Sequence, residues 1–204
     1  MKSMLRFAAA LAFLALPIAL AAEEKGKSEG KSEKPKIEVG KPAPDFTLKD
    51  EAGKDVKLSS FKGKKNVLIA FYPKDFTSGC TSELKRFRDE HSVFVQSNVQ
   101  ILGISTDVVE SHSKFCTELK LPFPLLADDA RKVSKEYGIL MEKPGLSGRS
   151  VFLVDKEGIV RHADAQYDLK NDDDYNALVK EVKALGAKEK PAKGSEAEKG
   201  KKAS

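Results

Sequence analysis

Two cysteines stand in the 204-residue chain, and only one has a setting that suggests reactivity. Cys80 lies in "FYPKDFTSGCTSELKRF", after the apolar run "NVLIAFY", which reads as a buried strand. Behind it, Leu84, Phe87, His91, Phe94 and Val95 fall on one face of a helix. A thiol in the first turn of such a helix faces unpaired backbone N–H groups and the positive end of the helix dipole, and both stabilise an anion. These settings lower a thiol pKa from ~8.5 to anywhere between ~3.5 and ~7.5. Each unit is worth about 1.4 kcal/mol in favour of the thiolate. Gly79 allows close backbone approach, and the Thr77 hydroxyl can donate to the sulfur or to a bound oxygen. Buried cysteines also serve as small hydrophobes, but the polar Thr-Ser-Gly surroundings weigh against that role. The chemistry suggested is that of a thiolate nucleophile.

The elements that must position this thiol follow from the apolar pattern. Short alternating runs at Phe46–Leu48 and Asp55–Leu58, joined by a Gly-bearing turn, predict a hairpin. Compact apolar runs at 66–72, 99–105 and 150–155 predict strands covered on both faces. Helical patterns fall between them at Cys80–Phe94, Val108–Leu119 and Ala130–Tyr137. "DKEG" turns the chain into a further strand, "IVRHA", and "DDDYNALVKEVKAL" is a last amphipathic helix with Asp172, Asp173 and Asp174 at its start. The expected architecture is α/β, a central mixed β-sheet flanked by helices with an N-terminal β-hairpin, the layout of a thioredoxin-like fold. Periodicity alone leaves other three-layer α/β folds open.

The ends carry address and solvation rather than core. Residues 1–21 combine a basic start, an apolar stretch and a small-x-small site at Ala19–Ala21, the pattern of a signal peptide. Export to a bacterial periplasm is expected, with no stable membrane insertion after cleavage. Residues 22–37 and 186–204 are rich in Lys, Glu, Gly and Ser and read as a disordered linker and tail, leaving 38–185 as one domain. Much of the formal charge of +5 lies in these ends, and no basic patch interleaved with aromatics suggests nucleic acid. His91, His112 and His162 fall on different elements without zinc spacing, His112 reading as a solvated helix histidine, and the acidic triplet at 172–174 is a helix start before it is a calcium site. Neither metal nor cofactor is expected.

The string Pro73-x-x-x-Thr77-x-x-Cys80 resembles the peroxiredoxin motif, and "FYPKDFTSGCTSE" resembles its bacterioferritin comigratory, or Q-type, branch. The likeness extends through "VGKPAPDFTLKDEAGKDVKLSSFKGK", "VQILGISTD", "LPFPLLAD", "YGI" and "GRSVFLVDKEGIV", from Val39 to about Val160. It implies a thioredoxin-dependent peroxidase in which Cys80 attacks a hydrogen peroxide or organic hydroperoxide and becomes a sulfenic acid. By the same resemblance Thr77 orients the peroxide, Arg149 polarises it and stabilises the thiolate, Glu83 holds Arg149, and Pro73 shields the sulfur. Ser78 departs from the Pro found in many relatives and is expected to cap the helix in its place. Phe76 and the "MEKPGLSG" loop are expected at the entrance. Q-type relatives imply a monomer.

The resolving cysteine of this branch varies in position. Lys85 stands five residues after Cys80, where some members carry it, and Cys116 falls on the next helix, where others do. The resemblance therefore implies a Cys80–Cys116 disulfide recycled by a thioredoxin-like donor. Two other readings stay open: a one-cysteine peroxidase with an inert or structural Cys116, and a non-catalytic disulfide-bonded binding module. A thiol–disulfide oxidoreductase is disfavoured, because Thr77 and Glu83 occupy the positions a Cys-x-x-Cys partner would need.

Overall fold

The computed structural model describes residues 37–168 and 170–189. The expected leader over 1–21, the Lys-rich segment up to residue 36 and the residues from 190 onward lie outside them. The expected hairpin forms from β1 (Thr47–Asp50) and β2 (Asp55–Lys57), paired antiparallel with Leu48 opposite Val56. Asp50 makes its turn: Oδ1 accepts the N–H groups of Ala52 at 2.9 Å and Lys54 at 2.8 Å.

At the centre lie β3 (Asn66–Phe71), β4 (Val99–Ser105) and β8 (Ser150–Val154). With β5 (Leu125–Ala127) and β9 (Val160–Asp164) they complete a seven-stranded sheet in the order β2-β1-β5-β4-β3-β8-β9. The β3–β4 and β4–β5 pairs are parallel and the rest antiparallel, so the sheet is mixed as expected. Along β3 and the residue after it, Leu68, Ala70 and Tyr72 enter one apolar cluster while Val67, Ile69 and Phe71 enter the other. This alternation is how a strand buried on both faces serves two cores at once. The first core receives Leu84 and Phe87 of α1 (Ser78–Asp89), Phe115 and Leu119 of α3 (Val109–Leu119), and Leu178 and Val182 of α5 (Asp172–Glu189).

Several boundaries differ from expectation, each for a local reason. The helix anticipated over 80–94 starts at Ser78 and breaks at Glu90, whose φ of −99° and ψ of 15° leave the helix, so that α2 (His91–Gln96) is separate. The helix anticipated over 130–137 contracts to α4 (Lys132–Glu136), where the Asp128 carboxylate receives the N–H groups of Val133 and Ser134 at 3.1 and 2.7 Å. The loop 141–148 holds a small ribbon, β6 (Leu140–Met141) against β7 (Leu146–Ser147). Finally, α5 runs past Leu185. Gly186, which composition assigned to the tail, packs so tightly on Ser97 that a Cβ there would lie 2.7 Å from the Ser97 Cα.

Candidate active site

Strand β3 delivers the chain to Tyr72, and the loop of residues 73–77 turns it into α1. Thr77 is the N-cap residue, with extended φ and ψ of −85° and 147°, and no side chain caps the first turn. Its carbonyl accepts the Thr81 N–H at 2.9 Å, while its hydroxyl donates to the Lys74 carbonyl at 3.0 Å rather than to the sulfur. Ser78 is thus the first helical residue and not the cap that was expected. Cys80 is the third helical residue and is 1% exposed. The N–H groups of residues 78–80 belong to the helix's unpaired first turn, which carries a partial positive charge.

A second positive charge comes from the residue just before β8, the antiparallel neighbour of β3. Arg149 sits between β7 and β8, and its Nη2 donates to Cys80 Sγ at 3.4 Å. Its Nη1 is paired with Glu83 Oε2. Glu83 is one helical turn beyond Cys80, its side chain 2% exposed, and Oε1 has no hydrogen-bond partner among the described residues. The guanidinium, 18% exposed, is therefore held by a buried carboxylate and aimed at the sulfur. An anion on Sγ would be stabilised by both the cation and the helix start. The structure thus brings Cys80, Glu83 and Arg149 together, with Thr77 at the helix cap and Pro73 half-buried at the loop's start.

Cys116 faces a different field. It packs, half-buried, against the same apolar cluster that contains Cys80, and both thiols are free. Its Sγ lies 4.0 Å from the Phe123 carbonyl. Burial pushes its thiol up to about 11, and the negative charges of Glu51 and Asp75 add to the rise. Phe76, 51% exposed, lays its ring 4.8 Å from that of Phe115 and so lines the approach between the loop and α3.

One cluster escaped the sequence reading. Asp75, buried in the loop, accepts from Tyr72 Oη at 2.7 Å, Ser111 Oγ at 2.7 Å and His112 Nδ1 at 2.9 Å. His112 is fully buried, not solvated as expected. Its place three residues before Phe115 and seven before Leu119 puts it on the buried stripe of α3, the signal that could have found it.

A thiol beside a guanidinium at an open helix start, on a mixed α/β sheet, defines a thiol enzyme of thioredoxin-like architecture. Residues 39–163 match the AhpC/TSA family. Peroxiredoxin Q of Sedum lineare chloroplasts is 45% identical over 62% of this chain and 68% of its own. Peroxiredoxin Bcp of Bacillus subtilis is also 45% identical, over 60% of this chain and 81% of its own. The crystal structure of peroxidoxin BcpB from Mycobacterium tuberculosis superposes with a TM-score of 0.67 at 28% identity, covering 72% of this chain and 97% of that one. The chain belongs to the AhpC/TSA family, among the Q/Bcp peroxiredoxins, which are thiol peroxidases acting on peroxides with a thioredoxin-like reductant.

The relatives also correct one expectation. Those from rice and wheat, 43% identical over 62% of this chain and only 58% of theirs, are named chloroplastic like the Sedum protein. They point to a plastid rather than a bacterial periplasm. A basic, acid-free start is common to secretory and organellar leaders, so residues 1–21 do not separate the two by charge.

Proposed function

We propose that Cys80 is the peroxidatic residue and Cys116 its resolving partner. The Cys80 thiolate attacks one oxygen of the peroxide, the O–O bond breaks, and the departing oxygen leaves as water or alcohol after taking up a proton. Cys80 is then a sulfenic acid. The observation that carries this reading is the Arg149 guanidinium, 3.4 Å from Sγ and fixed by buried Glu83. Placed there, it stabilises the thiolate and the charge that moves onto the peroxide. Thr77, its proton engaged by Lys74, keeps lone pairs to accept a hydrogen bond from the peroxide O–H. The Cys116 thiolate next attacks the sulfenic sulfur, hydroxide departs, and the disulfide awaits two electrons from a thioredoxin-like dithiol. Among the described residues the exposed large apolar ones are few, Val39, Phe76, Val95, Val108 and Met141, in keeping with a monomer.

Intact mass after one equivalent of hydrogen peroxide on reduced protein tests this. Loss of two hydrogens in the wild type, with a one-oxygen adduct in Cys116→Ser, is the expected pair of results. The same adduct in both would leave a one-cysteine peroxidase needing an outside thiol. Unreacted protein in both would refute Cys80 as the attacker.

A further inference from the structure

The buried cluster around Asp75 takes no part in the chemistry above, yet it joins the two elements that chemistry must move. Asp75 lies five residues before Cys80, in the loop that leads into α1. Every side chain that donates to it apart from Tyr72 comes from α3, the helix of Cys116: Ser111 at 2.7 Å and His112 at 2.9 Å. The loop is tied at a third point, where the Asp75 N–H donates to Asp107 Oδ2 at 2.9 Å, just before α3 begins. Asp107 is itself fixed by the Ser105 hydroxyl at 2.7 Å.

His112 Nδ1 faces the Asp75 carboxylate, and Nε2 lies 3.2 Å from the Leu126 carbonyl. Both partners are acceptors, so the ring lies within hydrogen-bond reach of one on each side. Burial alone would raise the Asp75 carboxyl, but the hydrogen bonds and charge of His112, with those of Ser111 and Tyr72, outweigh it and hold the carboxyl below its usual range. His112 thereby pins α3 to β5 on one side and to the Cys80 loop on the other.

The remaining ties between the two elements are weaker. The Phe76 ring rests on Phe115, and Arg88 Nη1 of α1 donates to the Leu119 carbonyl at 2.8 Å from a partly exposed side chain. On α3, Cys116 follows His112 by one helical turn. Cys80 is 1% exposed among core side chains, so forming a bond to Cys116 on the proposed reading draws on local opening of the loop or α3.

We propose that Asp75 and His112 are positioning residues, forming a buried latch between the Cys80 loop and the Cys116 helix whose release sets the rate of disulfide closure. This rests on the reading that Cys116 resolves Cys80. Closed, the latch keeps Cys80 against Arg149 for attack on peroxide. Open, it frees α3 to bring Cys116 to the sulfenic sulfur.

Two readouts on the full chain test it: deuterium exchange of the peptide 109–119 in reduced protein, and single-turnover disulfide closure by quenched mass. Asp75→Asn keeps the shape and removes the charge, and is expected to speed both by about tenfold or more, the effect of a modest loss in a buried charged contact. Tyr137→Phe serves as the control. It removes a hydrogen bond to the Pro44 carbonyl at 2.8 Å in the other core, and it should lower global stability while moving neither readout. Should Asp75→Asn not fold, Ser111→Ala removes one donor from the same carboxylate and should speed both readouts about threefold. Unchanged exchange in 109–119, or faster exchange spread evenly over the whole chain, overturns the latch. So does a wild-type disulfide that closes no faster in the variant. No disulfide at all in the wild type overturns the resolving reading instead, and with it the latch's role in closure.

Discussion

Arg149 touches both Cys80 and Glu83, so its removal should have two separable consequences. Arg149→Met fills similar volume without the charge. Glu83 is 2% exposed, with one oxygen already unpartnered, and would be left as an uncompensated buried carboxylate. Breaking a buried pair from one side costs about 3–5 kcal/mol, measurable as a fall in the urea midpoint. The contact from Nη2 to Sγ at 3.4 Å is a charge-assisted hydrogen bond. Such bonds are worth ~1.5–3 kcal/mol, which corresponds to a loss of about 10- to 150-fold in the rate of peroxide attack, read by stopped flow. The double variant Glu83→Gln/Arg149→Met separates the effects. With no buried charge left stranded it should regain most of the lost stability, while the peroxide rate stays low. A double variant that recovers the rate as well would refute the argument, because the guanidinium would then act only by neutralising Glu83.

Two further outcomes follow from particular contacts. Burial raises the Cys116 thiol in the folded chain from 9.0 to about 11. A raised group contributes stability that is complete below its unfolded value and is lost as pH rises through the folded one, here between 9.0 and about 11. Wild type should therefore lose more stability than Cys116→Ser across that window in urea titrations, by about 1 kcal/mol once solvent screening of the half-buried thiol is allowed for, and parallel curves would contradict the burial argument. Gly186→Ala places a methyl 2.7 Å from the Ser97 Cα, a backbone atom that cannot swing aside. It should lower stability by about 1–3 kcal/mol with peroxide turnover unchanged, and an unaffected urea midpoint would show that α5 does not pack there.

Much of this site is legible in sequence because its parts are local or follow a motif. The strand before Cys80 and the helix after it are fixed by an apolar run and a 3.6-residue period, and Glu83 follows one turn later on the same helix. Arg149 lies far along the chain, and its own spacing does not distinguish it from a surface ion-pairing residue; only the family motif marked it. The latch was harder, since an Asp in a loop and a His in a helix are ordinary residues until the fold juxtaposes them. The helix break at Glu90 was hidden for another reason: the apolar period continues through it to Phe94, which is buried. Gly186 was misread because glycine among Lys and Ala looks like tail composition, while its packing on Ser97 is a tertiary fact.

The two cysteines show how environment alone can divide the labour between identical side chains. Cys80 has a guanidinium at 3.4 Å and a helix start beneath it, whereas Cys116 faces the carboxylates of Glu51 and Asp75 from a half-buried position. Peroxide reacts with thiolate, so susceptibility follows the thiolate fraction. With its thiol at about 11, only about one Cys116 in ten thousand is ionised at pH 7. A free cysteine is ionised to a few per cent there, about 300-fold more. On the proposed reading, this suppression spares Cys116 from direct oxidation and keeps it reduced for the resolving step. In Cys80→Ser, peptide mapping after a tenfold excess of hydrogen peroxide at pH 7 should show Cys116 oxidising at least about a hundredfold more slowly than free cysteine. The reaction should accelerate about tenfold per pH unit as the solution approaches the thiol's raised value. Oxidation of Cys116 at the rate of the free amino acid would mean that α3 leaves it open to solvent, and the protection would then have to come from elsewhere in the chain.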